Sequence, residues 1–377
     1  MSVEKSHAVK CACVVGTRPE VIKMAPVIRR LRESDWATPV VIATGQQDVL
    51  LDMALRDFAI KPDHVFPHDE DFGAIVNLLG SVATELDTLF EKTKPGCVIA
   101  QGDTTTVFAA SLAAFYRRIP FVHVEAGLRT GDLSAPFPEE FHRRVISAAT
   151  TLHCAPTSTA ADNLRKENVP EALIVVSGNT VIDALLETVA EKPAPPKGFP
   201  KARRPILMTA HRRENFGERF RDAFLAVRAF LDISPDAALF FPVHPNPAAY
   251  SAAHEIFANH PRITLTNPLS YREMVGALKA SWAVLTDSGG LQEEAPALGK
   301  PVLVLRDVTE RPEVVESGVA RLVGTTRDGV FGALNDLYKN DTLYERMARP
   351  VFPYGDGQAA KRIISSIPQF MGVGSRH

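Results

Sequence analysis

The sequence predicts an α/β fold in two domains, and three observations carry that prediction. Short β-branched or aliphatic runs alternate with segments of helical period along the whole chain, as in stacked βαβ units around parallel sheets. The segment Lys192 to Pro205 holds five prolines, which block helix and central-strand geometry, so it reads as a linker. After it the alternation restarts, and 377 residues suit roughly two domains of about 150 residues each. The domains are therefore placed at residues 1–192 and 205–356.

In the first domain the expected strands are Val9 to Val15, Pro39 to Ala43, Cys97 to Gln101, Pro120 to Val124, Leu152 to Ala155 and Leu173 to Val176. Between them lie helices, of which Ala74 to Lys92 is the clearest: Ile75, Leu78, Leu79, Val82, Leu86 and Leu89 recur at spacings of three and four, and the opposite face is polar. The second domain repeats the scheme with strands at Ile206 to Thr209, Ala238 to Val243, Ile263 to Leu265, Trp282 to Thr286, Val302 to Leu305 and Arg321 to Val323. Two such domains imply a cleft, and ligands of open parallel sheets lie beyond the carboxyl ends of the strands.

Composition narrows the function. Lys and Arg total 42 against 44 Asp and Glu, a formal charge of −2, which argues against a protein that grips nucleic acid by bulk positive charge. Cys11, Cys13, Cys97 and Cys154 form no Cys-x-x-Cys pair and read as reduced core thiols of a cytosolic protein. Neither a signal-like segment nor a run of about 20 apolar residues is present, so secretion and membrane insertion are not expected.

The segments that follow the strands hold the polar chemistry. After the first strand comes Gly16-Thr17-Arg18-Pro19-Glu20 and then a helix with Pro19 in its first turn. That helix N-terminus, with Arg18 beside it and Lys23 one turn on, can hold an anion such as a diphosphate, or can be a tight turn with solvated charges. Neither Gly-x-Gly-x-x-Gly nor a Walker loop occurs, so a nicotinamide or ATP site has no support. The third strand ends in Gly102-Asp103-Thr104-Thr105-Thr106, where Asp103 is either an N-cap or a cleft carboxylate. Glu125 follows Phe121-Val122-His123-Val124 at the tip of a buried strand, where desolvation would raise its pKa and suit it to proton transfer. Glu139, in Pro138-Glu139-Glu140, either complements a helix dipole or joins the other two acids.

In the second domain, His211 after the first strand is a proton donor, a diphosphate partner or a hydrogen-bonded loop residue, and His244 follows the second strand. The histidines and carboxylates lack metal-ligand spacing. Thr286-Asp287-Ser288-Gly289-Gly290-Leu291-Gln292-Glu293-Glu294 is the strongest nucleotide signal. Ser288, Gly289 and Gly290 let backbone N–H groups approach a phosphate at a helix start, and Glu294 lies one turn in, within reach of a ribose diol.

These blocks, together with Gln101 to Thr106, His123 to Thr130, Gly178 to Asp183, His211-Arg212-Arg213-Glu214 and Thr286 to Pro312, strongly resemble the non-hydrolysing UDP-N-acetylglucosamine 2-epimerases. The resemblance runs from about Val9 to Gln358 and implies two Rossmann-like domains of GT-B type, with a C-terminal helix at about 357–370 packing back on the first domain. It implies that Arg18, Lys23, Asp103, Glu125, Glu139 and His211 surround the sugar and diphosphate. Ser288, Gly289 and Gly290 would take phosphate, Glu294 the ribose and Arg311 the nucleotide side. Near the uracil the chain departs from the family, with Leu269 in place of Gln and Met274 in place of Phe. A family segment that binds a second, activating substrate molecule reads Gln46-Gln47-Asp48-Val49 here, and Asp where the family has Arg repels an anionic nucleotide sugar, so such activation, which would also involve His244, is expected to be weakened or absent. The resemblance also implies a cytoplasmic homodimer that serves polysaccharide biosynthesis without cofactor, metal, nucleic acid or membrane.

Inversion at C2 of a hexosamine needs an acidified C–H that no neighbouring carbonyl supplies. Breaking the C1–O bond to UDP gives oxocarbenium character, a glycal forms by loss of the C2 proton, and UDP returns after reprotonation on the other face. Arg18, Lys23, His211 and the amides of Ser288 to Gly290 would stabilise the leaving diphosphate, while Asp103, Glu125 and Glu139 would move protons. The intermediate must stay dry, so closure about Lys192 to Pro205 is expected. Competing readings are a hydrolysing relative that releases UDP and N-acetylmannosamine, an epimerase of a related UDP-amino sugar, a retaining glycosyltransferase and a nucleotide-sugar sensor.

Overall fold

Seven parallel strands build the first sheet of the computed structural model, which describes residues 8–45, 49–66, 74–212, 217–244 and 246–371. They are β1 (Val9–Val15), β2 (Ala37–Ala43), β3 (His64–Val65), β4 (Cys97–Gln101), β5 (Phe121–Val124), β6 (Leu152–Ala155) and β7 (Ile174–Val176), in the order β3-β2-β1-β4-β5-β6-β7. The second sheet has six, β8 (Arg204–Thr209), β9 (Ala237–Pro242), β10 (Ile263–Thr266), β11 (Ala283–Thr286), β12 (Val302–Val304) and β13 (Ala320–Leu322), in the order β10-β9-β8-β11-β12-β13. Both are doubly wound, and each reverses its strand order once, between β1 and β4 and between β8 and β11. Most expected strands agree to within a residue or two, while β3 is too short to leave a sequence pattern.

The first unit comprises Met1–Ala184 and Tyr354–His377, the second Leu185–Pro353. Helices α1 (Arg18–Glu33), α2 (Val49–Asp57), α3 (Ile75–Thr93), α4 (Thr105–Tyr116), α5 (Glu139–Ala149) and α6 (Ser158–Lys166) belong to the first, and α7 (Thr180–Ala190) carries the division within it. The second contains α8 (Glu218–Ile233), α9 (Pro247–Phe257), α10 (Tyr271–Ala280), α11 (Gly289–Ala297), α12 (Pro312–Glu316), α13 (Arg327–Lys339) and α14 (Asp341–Met347), and the chain then returns to the first unit as α15 (Ala359–Ser366).

Alternation along β1 explains the first core. Cys11, Cys13 and Val15 face α1 with Val21, Met24, Ile28 and Leu31, and Ile363, Ile364, Ile367 and Phe370 of the returning segment complete that layer. Ala12 and Val14 face the other way, onto Val82, Leu86 and Phe90 of α3 and Phe108 of α4. Asp183 accepts the N–H groups of Ala359 and Ala360 at 3.1 and 2.9 Å, which satisfies donors at the start of α15. All four cysteines are buried free thiols, and Cys154 is pushed up to about 12 by burial.

Two expectations need correction. The apolar stripe of α3 is shorter than its periodicity: Val82, Leu86 and Phe90 are buried and Leu78, Leu79 and Leu89 pack partly, but Ile75 is exposed at the helix start. The proline-rich segment is irregular but is docked on the second unit rather than forming a bare linker. Phe199 packs on Phe240 of β9 with ring centroids 5.1 Å apart, and the Ala194 carbonyl lies so near Gly276 that a Cβ there would sit 2.2 Å from its oxygen.

Candidate active site

The reversal of strand order opens a crevice at the carboxyl ends of β1 and β4, and the polar residues of the first unit collect there. The turn after β1 needs Gly16, because a Cβ would stand 2.2 Å from Thr106 Oγ1. Helix α1 begins at Arg18, with Pro19 in its first turn and Thr17 as N-cap residue. One turn on, Lys23 Nζ donates to Glu125 Oε1 at 2.6 Å, and both side chains are buried.

Glu125 is the centre of a network drawn from four elements. Besides Lys23, Asn179 Nδ2 donates to Oε1 at 3.0 Å, and Gln101 Nε2 donates to Oε2. Its backbone is left-handed, φ +65, a conformation that costs a non-glycine residue about 1 kcal/mol or more and persists only where the surroundings enforce it. Glu125 is thus an acid held against an ammonium group, a pairing that the strand pattern alone does not show.

Asp103 does not cap α4. Thr104 does, accepting from Val107 N at 3.4 Å, and the Asp103 carboxylate instead accepts from Arg143 Nε at 2.7 Å. Its carbonyl accepts from His142 Nδ1 at 2.8 Å. His123 Nε2 donates to the Gly102 carbonyl at 2.7 Å, and burial pushes this imidazole down to about 4, so it stays neutral while it braces the turn. Glu139 opens α5 half-buried, whereas Glu140 is fully buried and serves structure: it accepts from the N–H groups of Thr130 and Gly131 at 3.1 Å each and from Arg143 at 3.2 Å.

The second unit repeats the arrangement at its own reversal. Asp287, just past β11 and fully buried, accepts from the backbone N–H groups of His211 and Arg212 and lies 3.2 Å from His211 Nδ1. Burial acts to raise its pKa, but the hydrogen bonds and charge of His211 and the two amides outweigh it, and the net shift is downward. His244 stacks beside His211 with centroids 6.0 Å apart.

Ser288 precedes α11, which starts at Gly289 and Gly290. A Cβ on Gly289 would lie 3.0 Å from the Arg311 guanidinium carbon, so the glycine permits that close approach. Arg311 donates to Glu293 at 2.9 Å and pairs with Glu310 at 3.2 Å. Glu310 is held at about 2: burial opposes ionisation, and Arg311, Arg306 and Arg212 together overcome it. Glu294 is buried and accepts from Tyr271 Oη at 2.6 Å, while Met274 lies half-buried on α10 and Leu269 is buried before it.

The residues expected at strand ends are thus collected at one reversal in each unit: Arg18, Lys23, Asp103 and Glu125 in the first, His211, Ser288, Gly289, Gly290, Glu294 and Arg311 in the second. Gln46, Gln47, Asp48, Arg213, Glu214 and Pro245 lie outside the described residues. Sequence reasoning gave no separate role to Gln101, Asn179, Arg143, Tyr271 or Asp287. Asn179 alone had a local signal, as an Asn preceding a helix whose Oδ1 accepts from Val181 N at 3.0 Å. Among the described residues no group of three or more His, Cys, Asp or Glu side chains could hold a metal ion, and no helix is long and apolar enough to cross a membrane.

Two doubly wound parallel-sheet units, each with its polar residues at the carboxyl-end reversal, define an α/β protein of the GT-B class. Solved structures agree: that of UDP-GlcNAc 2-epimerase from Neisseria meningitidis bound to UDP-GlcNAc superimposes with a TM-score of 0.90 at 39% identity, covering 96% of this chain and 100% of that one. The Methanocaldococcus jannaschii UDP-GlcNAc 2-epimerase in complex with UDP-GlcNAc and UDP gives 0.81 at 31% identity, covering 96% and 99%. A UDP-N-acetylglucosamine 2-epimerase of Bacillus subtilis is 44% identical over 362 residues, 95% of this chain and 94% of that protein. The family model for UDP-N-acetylglucosamine 2-epimerase matches residues 29–368, and the chain belongs to that family.

Proposed function

We propose that the protein interconverts UDP-N-acetylglucosamine and UDP-N-acetylmannosamine without hydrolysis, by eliminating UDP to a glycal and adding it back after reprotonation at C2. The observation that carries this reading is the pair of carboxylates at adjacent strand ends. Gln101 and Val124 are paired in register, so Asp103 and Glu125 stand just beyond the ends of neighbouring strands. Asp103 is held by Arg143, and Glu125 by Lys23, Gln101 and Asn179. Acids fixed in this way are suited to take a proton from one face of a ring and return one to the other. Glu139 is the third candidate acid.

Arg18 at the start of α1 supplies positive charge to the departing diphosphate. In the second unit, the amides of Gly289 and Gly290 at the start of α11 take phosphate together with the Ser288 side chain, whose own N–H donates to Thr286 Oγ1 at 2.9 Å, while Glu294 takes the ribose, and Arg311, with Met274, the nucleotide side. His211, oriented through Nδ1 by Asp287, offers its other nitrogen to the diphosphate, to which it donates a hydrogen bond when the ring is protonated, beside His244. The reading includes a cytoplasmic homodimer that feeds polysaccharide synthesis.

Incubation with UDP-N-acetylglucosamine in heavy water tests the chemistry. Deuterium should enter C2 of both UDP-sugars, and UDP should stay attached at equilibrium. Accumulation of free N-acetylmannosamine would assign a hydrolysing reaction instead, and product without C2 deuterium would exclude proton exchange with solvent. Light scattering checks the dimer.

A further inference from the structure

Glu20 is a fully buried acid to which the proposed chemistry gives no task. Its spacing from Thr17 is that of a capping box, in which the third helical residue reaches back to the helix start. One oxygen does this: Oε2 accepts from Gly16 N–H at 2.5 Å, and Thr17 lies beside the carboxylate and favours its charged form. A helix cap would be complete at that point.

The other oxygen goes elsewhere. Oε1 accepts from the Thr104 hydroxyl at 2.7 Å, a residue 84 positions along the chain. Thr104 is the N-cap of α4 and the direct neighbour of Asp103, whose carboxylate and carbonyl are gripped from the opposite side by Arg143 and His142 of α5.

From these contacts we infer that Glu20 is a positioning residue: it ties the turn that carries Arg18 to the turn that carries Asp103, and so sets where the Asp103 carboxylate stands. The inference rests on the epimerase reading in which Asp103 moves a proton. Glutamine preserves the tie, because its carbonyl can accept from Gly16 while its amide donates to Thr104 Oγ1, whose hydroxyl then turns to accept. Alanine removes it. A misplacement of about 1 Å in a reacting group costs roughly 100-fold in rate, which sets the scale of the effect.

The test compares kcat, KM, UDP affinity and thermal unfolding for wild type, Glu20→Ala, Glu20→Gln, Asp103→Asn and the double variant Glu20→Ala/Asp103→Asn. Glu20→Ala should lower kcat about 10- to 100-fold with UDP affinity held within about threefold, and Glu20→Gln should restore kcat to within about fivefold of wild type. In the Asp103→Asn background, Glu20→Ala should cost less than about twofold more, since the two act through one group. Thr104→Val cuts the same contact from its far end, and it should reproduce the kcat loss if Glu20→Ala does not fold. The inference is overturned if Glu20→Ala retains wild-type kcat, if kcat and UDP affinity fall together without rescue by Gln, or if the losses from Glu20→Ala and Asp103→Asn simply multiply. Wild-type protein that fails to place deuterium at C2 would instead bring down the epimerase reading, a result read on a different sample.

Discussion

Replacing Glu20 with Gln should make the first unit increasingly more stable than wild type as the pH rises. Burial lifts the Glu20 carboxyl from 4.5 to about 7, more than the hydrogen bonds from Thr104, Gly16 and Thr17 can offset. Between those two values the folded protein holds a proton that the unfolded chain has released. Wild-type stability therefore falls through that window, being intact below about 4.5 and fully diminished above about 7. At 1.36 kcal/mol per pH unit the loss is about 3 kcal/mol. The Gln side chain does not titrate, so whatever fixed offset it introduces, the difference between the two proteins should widen by about 3 kcal/mol from pH 4.5 to pH 8. The assay is urea unfolding of both proteins in a Trp282→Phe background. Of the two tryptophans this leaves only Trp36, which packs against the core of the first unit. A difference that stays flat across this pH range would refute the reasoning, because it would mean that Glu20 ionises at its ordinary value despite its burial.

Three further outcomes are expected. Asp103→Asn and Glu125→Gln should each lower turnover by at least ~10²-fold with little change in UDP affinity measured by calorimetry; unchanged turnover removes that residue from the mechanism. Asp287→Asn should lower turnover about 10- to 100-fold by loosening His211, which loses the carboxylate that holds both its ring and its backbone N–H; steady-state kinetics beside a thermal melt separates that loss from unfolding. Gly16→Ala should destabilise the fold by about 1–3 kcal/mol, since the added methyl would press on Thr106 Oγ1 and on Thr44 Oγ1, which bond each other at 2.9 Å; an unchanged melting temperature contradicts the packing described.

What the sequence revealed follows the range over which its signals act. The strands β1, β4 and β6 were legible to the residue, because a strand buried on both faces is a continuous apolar run bounded by polar turns. Asp103 stayed open between N-cap and cleft carboxylate because Asp and Thr are both favoured as caps, and a one-residue difference decides which of them performs it. The ion pair of Glu125 left no local pattern for another reason: its partner Lys23 lies 102 residues away and is brought close only by the pairing of β1 with β4 and β4 with β5. Arg143 with Asp103 and Asp287 with His211 are likewise encounters between distant segments. The proline-rich stretch was correctly seen as irregular, but its docking depends on Phe240 and Gly276, which no local pattern connects to it.

Helix α15 reaches the first unit only after the whole second unit has been traversed. On a ribosome adding 5–20 residues per second, roughly ten to thirty seconds separate the emergence of α7 from that of α15. Throughout that interval the first sheet has its strands but lacks Ile363, Ile364, Ile367 and Phe370, while the second unit is still being made. The later-born half is therefore the first to have its chain complete, at Pro353, and until the tail that follows it arrives the nascent first half carries an uncovered apolar groove that chaperones would be positioned to shield.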